Sequence, residues 1–254
     1  MKKIVFIFRD GFDAKYILSK IDIFKKNYDI VCILESGKKA RTKKIKRMFK
    51  KDKNIFRVLL NMCTLVVYDK IMLHYMEKIC KKEEYPSLLK TYYVDDVNDA
   101  QCIDLCNNVS PDLIVIYGTA ILTTETIDSM KADIYNVHSS ILPFYRNVHS
   151  DFWAYMNEER ERIGITIFKI NAGIDTGSIA KQKKCQLSDS AKLYEYKAEN
   201  INNIVKLIPE FIEDYFNNCV VLQEQGKNSG FSSYTPKTKD LINLLKKEMK
   251  KEEK

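Results

Sequence analysis

Histidine is scarce in this chain, which has three in 254 residues, and one of them lies in a pattern that could do chemistry. His138 follows Asn136 by two positions in the segment IYNVH. Side chains two apart in a strand point to one face, so the amide and the imidazole are predicted to project together. An amide N–H can stabilise a developing oxyanion, and an imidazole can exchange a proton near neutral pH. The pair therefore suits attack on a carbonyl.

A carboxylate that could orient or charge this imidazole occurs in the segment NAGIDTGSI. Asp175 lies there between Gly173 and Gly177, and the glycines permit a tight loop whose backbone can approach a planar ligand closely. The preceding segment IGITIFKI is predicted to be a strand that brings this loop to the same sheet edge. On spacing alone both motifs also fit structural roles, namely a histidine at a strand end and an ordinary turn.

The elements that must position these residues indicate an α/β fold. The chain opens with the apolar run KIVFIF, a helical pattern over FDAKYILSKIDIFKK and the run YDIVCILES, which together form the β–α–β unit of parallel sheets. Further buried strands are predicted at DLIVIYG, IYNVH, IGITIFKI and about residues 179–185. The sequence thus predicts a Rossmann-like, mostly parallel sheet flanked by helices, a fold that binds ligands at the carboxyl ends of its strands.

A long helical insertion and a small appendage complete the predicted organisation. The pattern from about residue 55 to 82 contains no Gly or Pro and is predicted to be helical. It belongs to an insertion at about 38–92 within a catalytic domain of residues 1–217. Residues 218–254 contain a strand candidate, CVVLQEQ, and a terminal helix, and they are predicted to pack on that domain as a small C-terminal extension.

The formal net charge of +8 is unevenly distributed. Residues 37–53 hold ten Lys or Arg against one Asp, which fits either a solvated helix face or attraction for phosphates. The seven cysteines form no CxxC pair, so neither a disulfide framework nor a zinc ribbon is predicted. The N-terminal apolar run is too short for a secretory signal, and the apolar run 59–68 is too short to cross a bilayer. A cytoplasmic location is therefore predicted.

Three segments resemble the N10-formyltetrahydrofolate-dependent formyltransferase superfamily, namely DLIVIYGTAIL, IYNVHSSILPFYRN and IGITIFKINAGIDTGSIA. This superfamily includes glycinamide ribonucleotide, methionyl-tRNA and sugar N-formyltransferases. Its N-x-H-x-S-x-L-P stretch and downstream D-x-G hold the catalytic residues, which fall here on Asn136, His138 and Asp175. The resemblance covers about residues 112–180 with the three motifs in order, whereas the first hundred residues match mainly in their β–α–β start.

The resemblance implies transfer of a formyl group from N10-formyltetrahydrofolate to a primary amine, without a metal. Asn136 would bind the oxyanion, while His138, assisted by Asp175, would pass the amine proton to N10 of the folate. Arg146 and His149 are candidate acceptor contacts, although a histidine at a helix start also suits a capping role. The pteridine slot is implied to be lined, largely through backbone groups, by Tyr117, Gly118, Thr119, Ile121, Leu122, Asn171, Ala172, Gly173, Ile174 and Asp175.

The acceptor is predicted by exclusion within that resemblance. After the first strand the sequence reads FRDGFDAKY, where glycinamide ribonucleotide enzymes carry a Gly/Ser-rich phosphate loop. The segment SSYTPKTKD resembles the linker of methionyl-tRNA enzymes, but no residues remain for their β-barrel domain. Formyltetrahydrofolate hydrolases carry an extra N-terminal domain. The resemblance therefore favours a sugar N-formyltransferase, which implies a nucleotide-linked amino sugar as partner, a homodimer and no stable nucleic-acid complex.

Other interpretations stay open at this point. A methionyl-tRNA-type formyltransferase and a formyltetrahydrofolate hydrolase use the same three residues. The basic segment and the long helix lie outside the usual family pattern. A hypothesis of another class is therefore a phosphate- or membrane-surface binding module with a vestigial site, in peripheral contact with its surface.

Overall fold

A computed structural model describes residues 1–21, 28–226 and 230–252 of the chain. Its elements alternate as an α/β protein should, and the strand and helix bounds are as follows. They are β1 (Lys2–Arg9), α1 (Phe12–Lys20), β2 (Tyr28–Glu35), α2 (Lys38–Lys51), α3 (Ile55–Ile79), β3 (Lys90–Val94), α4 (Ala100–Val109), β4 (Leu113–Tyr117), α5 (Thr124–Ser129), β5 (Asp133–His138), β6 (Tyr145–Arg146), α6 (Ser150–Met156), a 3-10 turn (Arg160–Arg162), β7 (Gly164–Lys169), β8 (Ile179–Lys184), α7 (Leu193–Phe216), β9 (Phe231–Ser232) and α8 (Thr238–Glu252).

The main sheet has seven strands in the order β3-β2-β1-β4-β5-β7-β8. The five strands from β3 to β5 run parallel, and β7 and β8 continue the sheet antiparallel. This arrangement confirms the predicted α/β class, with a mostly parallel sheet flanked by helices. Helix α1 and the strand before it are confirmed as well, while the predicted continuation of the helix to residue 26 lies outside the described residues.

The centre of the sheet is buried on both faces, which explains the unbroken apolar run of β1. Phe6 and Phe8 pack on one side against α1 and α7, where Phe211 joins the same cluster. Val5 and Ile7 pack on the other side against α4 and the strands beside it. Helices on both faces are what make a parallel strand read as continuously hydrophobic rather than alternating. The sheet therefore gives its carboxyl edge a rigid base.

The structure differs from the predicted strands in two places. Strand β3 was not predicted, because this short edge strand buries one of its five residues and so lacks an apolar pattern. The predicted insertion at about 38–92 thus overlaps a strand of the sheet. The strand candidate CVVLQEQ is wrong, because residues 219–225 make a single bridge, between Gln223 and Ile179, and Val221 is exposed. The division at residue 217 stays a prediction.

The long helix is confirmed as α3, whose first turn is capped by the Asn54 side chain accepting from the Arg57 N–H. One side of α3 carries Tyr68 and Met76, which are buried, and the opposite side leaves many apolar side chains exposed. Within the described ranges, no helix is long and apolar enough to span a membrane. The basic segment forms α2, with Lys46 and Lys50 exposed, as a solvated helix face would be.

Candidate active site

A cleft of about 780 Å³ opens at the carboxyl ends of the central strands. That size suits a small-molecule ligand, since such pockets hold about 300–1,000 Å³. Almost every residue that the sequence singled out lines it, and the exception is Arg146. The predicted residues in the lining are Tyr117, Gly118, Thr119, Ile121, Leu122, Asn136, His138, His149, Asn171, Ala172, Gly173, Ile174 and Asp175.

Asn136 and His138 lie at the carboxyl end of β5, between two neighbouring strands. Parallel β4 pairs Ile116 with Asn136, and antiparallel β7 pairs Thr166 with His138. Strand pairing on both sides fixes the two side chains on one face, as their spacing predicts. His138 is buried and Asn136 is partly exposed to the cleft.

The surroundings of the His138 ring decide which nitrogen can act as a base. Its Nε2 lies 2.9 Å from the carbonyl oxygen of Tyr145, which also accepts a hydrogen bond from the Ser140 hydroxyl. A carbonyl oxygen can only accept, so Nε2 carries a hydrogen. In the neutral ring Nδ1 is then the unprotonated nitrogen and the one that can take up a proton.

The Asp175 carboxylate approaches that nitrogen. Its Oδ2 lies 3.7 Å from Nδ1 of His138 and accepts a 2.6 Å hydrogen bond from the backbone N–H of Asn147. Both side chains are largely buried, which strengthens their electrostatic interaction. A proton arriving on Nδ1 would therefore be stabilised by a carboxylate already held in place.

The loop around Asp175 needs its glycines for packing. A Cβ on Gly177 would lie 1.7 Å from the carbonyl oxygen of Lys169, and one on Gly173 would lie 2.1 Å from Oγ1 of Thr176. Asp175 itself takes up the left-handed conformation, with φ of 51°. Left-handed backbone is more readily adopted by Asp than by most residues with a side chain. The turn thus aims the carboxylate at His138.

Gln225 supports this loop and was missed by the sequence analysis. Its side-chain amide donates to the carbonyl oxygens of Asp175 at 3.1 Å and Gly177 at 2.7 Å. Its own Oε1 accepts from the Arg146 guanidinium at 3.0 Å. Arg146 therefore contacts Gln225 and lies outside the cleft lining, and its acceptor contact stays a prediction.

We expect Gln225→Ala to lower kcat about tenfold, because it removes two hydrogen bonds that hold the Asp175 loop and small displacements of a catalytic group are costly. Gln223→Ala is the matched control, since Gln223 is exposed and joins β8 through its backbone. Steady-state kinetics of both variants at equal folded fraction provide the measurement. Equal kcat values for the two variants would contradict the role of Gln225.

Two buried polar contacts lie in the half of the cleft opposite the Asp175 loop. Lys197 on α7 donates to Asp151 on α6 at 2.6 Å. Burial alone would raise the pKa of the Asp151 carboxyl, but Lys197 outweighs it and holds that pKa below its ordinary value. Tyr117 donates its hydroxyl to Asp13 at 3.1 Å, and burial raises the pKa of Asp13. This half of the cleft is therefore polar and partly charged.

The half of the cleft beside the Asp175 loop fits a flat, partly apolar ring. Ile121 and Ile174 stand on two loops of the cleft lining, and both are exposed. The loop at Ala120 is fixed from behind, because the Ala120 N–H donates to the buried Glu35 carboxylate at 2.9 Å. Rigid loops with exposed isoleucines suit the pteridine slot predicted for these residues. No cluster of metal-binding side chains occurs in the described part of the chain.

The arrangement of β–α–β start, strand-end pair and glycine-flanked aspartate matches a known family. The formyl transferase family matches residues 1–210. The chain belongs to the formyl transferase family. This confirms the family predicted from the motifs, and it covers far more of the chain than the motifs do.

Relatives within the formyl transferase family match by sequence over part of their length. A methionyl-tRNA formyltransferase from Finegoldia magna is 31% identical over 135 residues, which are 52% of this chain and 43% of that protein. One from Chlorobium chlorochromatii is 35% identical over 100 residues, covering 39% and 32% of the two chains. The match therefore spans less than half the length of these curated relatives.

Solved structures of formyl transferases share the fold over nearly the whole chain. A Helicobacter canadensis N-formyltransferase, solved with folinic acid and dTDP-3-aminofucose, has a TM-score of 0.60 and 16% identity, covering 100% of this chain and 83% of that one. A 4-N formyltransferase from Francisella tularensis has a TM-score of 0.59 and 16% identity, covering 96% and 86%. At such identities the likeness establishes the fold.

Proposed function

We propose that this formyl transferase moves a formyl group from N10-formyltetrahydrofolate to the primary amine of a nucleotide-linked amino sugar. One observation carries the proposal. Asn136, His138 and Asp175 come from two separate segments and meet in one cleft, with Asp175 3.7 Å from the histidine. These are the groups that formyl transfer to an amine needs, an oxyanion donor and a charged proton carrier.

The residues divide the chemistry between them. As the amine nitrogen bonds to the formyl carbon, the Asn136 amide donates to the oxyanion that forms. His138 takes the amine proton on Nδ1, and Asp175 stabilises the imidazolium. The bond from the formyl carbon to N10 then breaks, and the proton passes from His138 to that nitrogen. Tetrahydrofolate and a formamide leave, so atoms and charges balance.

A sugar acceptor is supported by two points. The Helicobacter canadensis relative was solved with a dTDP-linked amino sugar. In this chain the cleft is lined by five aspartates but by one lysine and one arginine, which disfavours deep entry of a polyphosphate or of tRNA. Homodimer formation stays a prediction from the resemblance, and a cytoplasmic location stays a prediction from the sequence.

The test is a transfer assay with matched acceptors. The protein is incubated with N10-formyltetrahydrofolate and a panel of nucleotide-linked amino sugars, including dTDP-3-aminofucose, or with methionyl-tRNA, or with water alone. Mass spectrometry then detects the gain of one formyl group, and tetrahydrofolate release reports hydrolysis. Formylation of a panel sugar supports the proposal. Transfer to methionyl-tRNA alone, or release without transfer, would replace it with one of the alternative activities.

We expect Asn136→Ala to lower kcat on the order of 10²-fold while changing KM for the folate little, because the amide contributes mainly once the oxyanion forms. The variant should fold normally, since Asn136 is partly exposed. Asn108→Ala is the control, because it removes an exposed amide on α4 that lies outside the cleft lining. A large rise in KM with unchanged kcat would contradict the oxyanion role.

A further inference from the structure

Part of the acidic character of the cleft comes from the half that contains the Asp151–Lys197 and Tyr117–Asp13 contacts, away from the isoleucine loops, the two loops that carry Ile121 and Ile174. The chain as a whole carries a net charge of +8, yet the cleft lining holds one lysine and one arginine against five aspartates. Both cations already have carboxylate partners. The Arg9 guanidinium lies 2.9 Å from a Glu35 carboxylate oxygen, and Nζ of Lys197 lies 2.6 Å from a carboxylate oxygen of Asp151. The lining therefore favours hydroxyl and amine groups over phosphates. Its aspartates are Asp10, Asp13, Asp69, Asp151 and Asp175.

Two further residues of the lining point to a ligand in this half. Tyr68 on α3 and Asn200 on α7 are each more than nine-tenths buried. The Tyr68 hydroxyl and the Asn200 side-chain nitrogen have no hydrogen-bond partner among the described residues. Leaving such a group unsatisfied is unfavourable, so buried polar atoms normally have hydrogen-bond partners.

The two residues lie beside polar groups that have bonding capacity to spare. Lys197 has three N–H donors and gives one to Asp151. Burial raises the pKa of the Tyr68 hydroxyl, and the charge of Lys197 opposes that rise. Asp13 keeps a second carboxylate oxygen besides the one that accepts from Tyr117. The wall formed by α1, α3 and α7 thus presents both donors and acceptors. A hydroxyl-bearing ring can use both kinds of group at once.

We propose that this wall is the acceptor subsite and that Tyr68, with Asn200 and the Asp151–Lys197 pair, binds ring hydroxyls of an amino sugar that enters amine first. The inference rests on the proposed function. Its chemistry assigns the sugar ring to the cleft and leaves any nucleotide phosphates outside it. Because α3 belongs to the predicted insertion, the insertion would then set acceptor specificity in this chain.

The test compares Tyr68→Phe with Tyr75→Phe, the same change on the same helix but outside this cleft. Binding of the amino-sugar panel to folinic-acid-loaded protein is measured by calorimetry. We expect Tyr68→Phe to weaken binding about five- to tenfold and to raise acceptor KM alike, with folate KM and kcat little changed. Its Tm should not fall, because the lost hydroxyl has no partner to leave behind. Tyr75→Phe should bind like the wild type.

Deoxy analogues of the bound sugar identify the hydroxyl concerned. The wild type should bind one deoxy analogue more weakly than its parent sugar, whereas Tyr68→Phe should bind the two equally. The reason is that the deoxy change in the sugar and the Tyr68→Phe change in the protein remove the same hydrogen bond. Unchanged binding by Tyr68→Phe, or no binding of any panel sugar to the wild type, would overturn the subsite. If the protein formylates a sugar but Tyr68→Phe binds that sugar like the wild type, the subsite is overturned and the proposed function stands. Weakened binding without any formyl transfer supports the subsite while removing the proposed function.

Discussion

His138→Ala is expected to lower kcat about 10²–10⁴-fold, the usual contribution of a positioned proton carrier. The reason lies in how the ring is held. Its Nε2 hydrogen is directed at the Tyr145 carbonyl oxygen, which leaves Nδ1 as the basic nitrogen next to Asp175. Without the ring, neither the amine nor the departing folate nitrogen has a proton carrier, and water must serve instead. Turnover of formyltetrahydrofolate with the best acceptor is the measurement.

Two variants make this result specific. His74→Ala removes a histidine that is exposed on α3 and outside the cleft lining, so wild-type kcat is expected. His138→Ala should still bind folinic acid, because the loops that carry Ile121 and Ile174, the predicted pteridine slot, are held by contacts other than those of His138. A His138→Ala enzyme with wild-type kcat would refute the proton-carrier role. Loss of folinic-acid binding would instead indicate a collapsed cleft.

The strand-end pair is the part of the site that local sequence rules predict best. Period-two spacing places Asn136 and His138 on one face, and the apolar run before them predicts the strand that carries them. Both statements use residues within a few positions of each other. Burial of β1 and β4 follows from equally local patterns, which is why the central sheet was predictable.

Long-range support could not be predicted in this way. Gln225 reaches Asp175 across 50 positions by a side-chain to backbone hydrogen bond, and nothing in the exposed stretch around Gln225 marks it. Tyr68 lies within an ordinary apolar helix, where its burial is visible in the pattern but its place in the cleft is not. The glycine-flanked turn made Asp175 a candidate, and the family resemblance was needed to distinguish a catalytic aspartate from an ordinary turn. Edge strand β3 was not predicted, because it buries only one of its residues and has no apolar pattern.

The buried polar groups of the cleft reduce the stability of the fold. A lysine–carboxylate pair and two unsatisfied polar atoms are costly to bury, and a packed apolar wall would serve stability better. Such costs concentrate at functional sites. The buried core of the sheet beneath the cleft provides the stability that offsets these energetic costs.

Asp175→Asn is expected to lower kcat about 10³-fold. Two unit charges 3.7 Å apart interact by about 4 kcal/mol at an effective dielectric constant of about 20, and each 1.4 kcal/mol is about tenfold in rate. The substitution removes this stabilisation of the protonated His138 but keeps a side-chain oxygen that can accept from the Asn147 N–H. The loop should therefore keep its shape, and the loss should come from charge.

Comparison with two other variants separates charge from structure. Asp133→Asn removes an aspartate that is ion-paired with Lys169 on the surface at the start of β5, and wild-type kcat is expected. Asp175→Ala removes both the charge and the acceptor for Asn147, so it should be at least as slow and should also lose stability. If Asp175→Asn kept kcat within a few-fold of the wild type while Asp175→Ala did not, the carboxylate would serve to shape the loop. Catalysis would then rest on Asn136 and His138 alone.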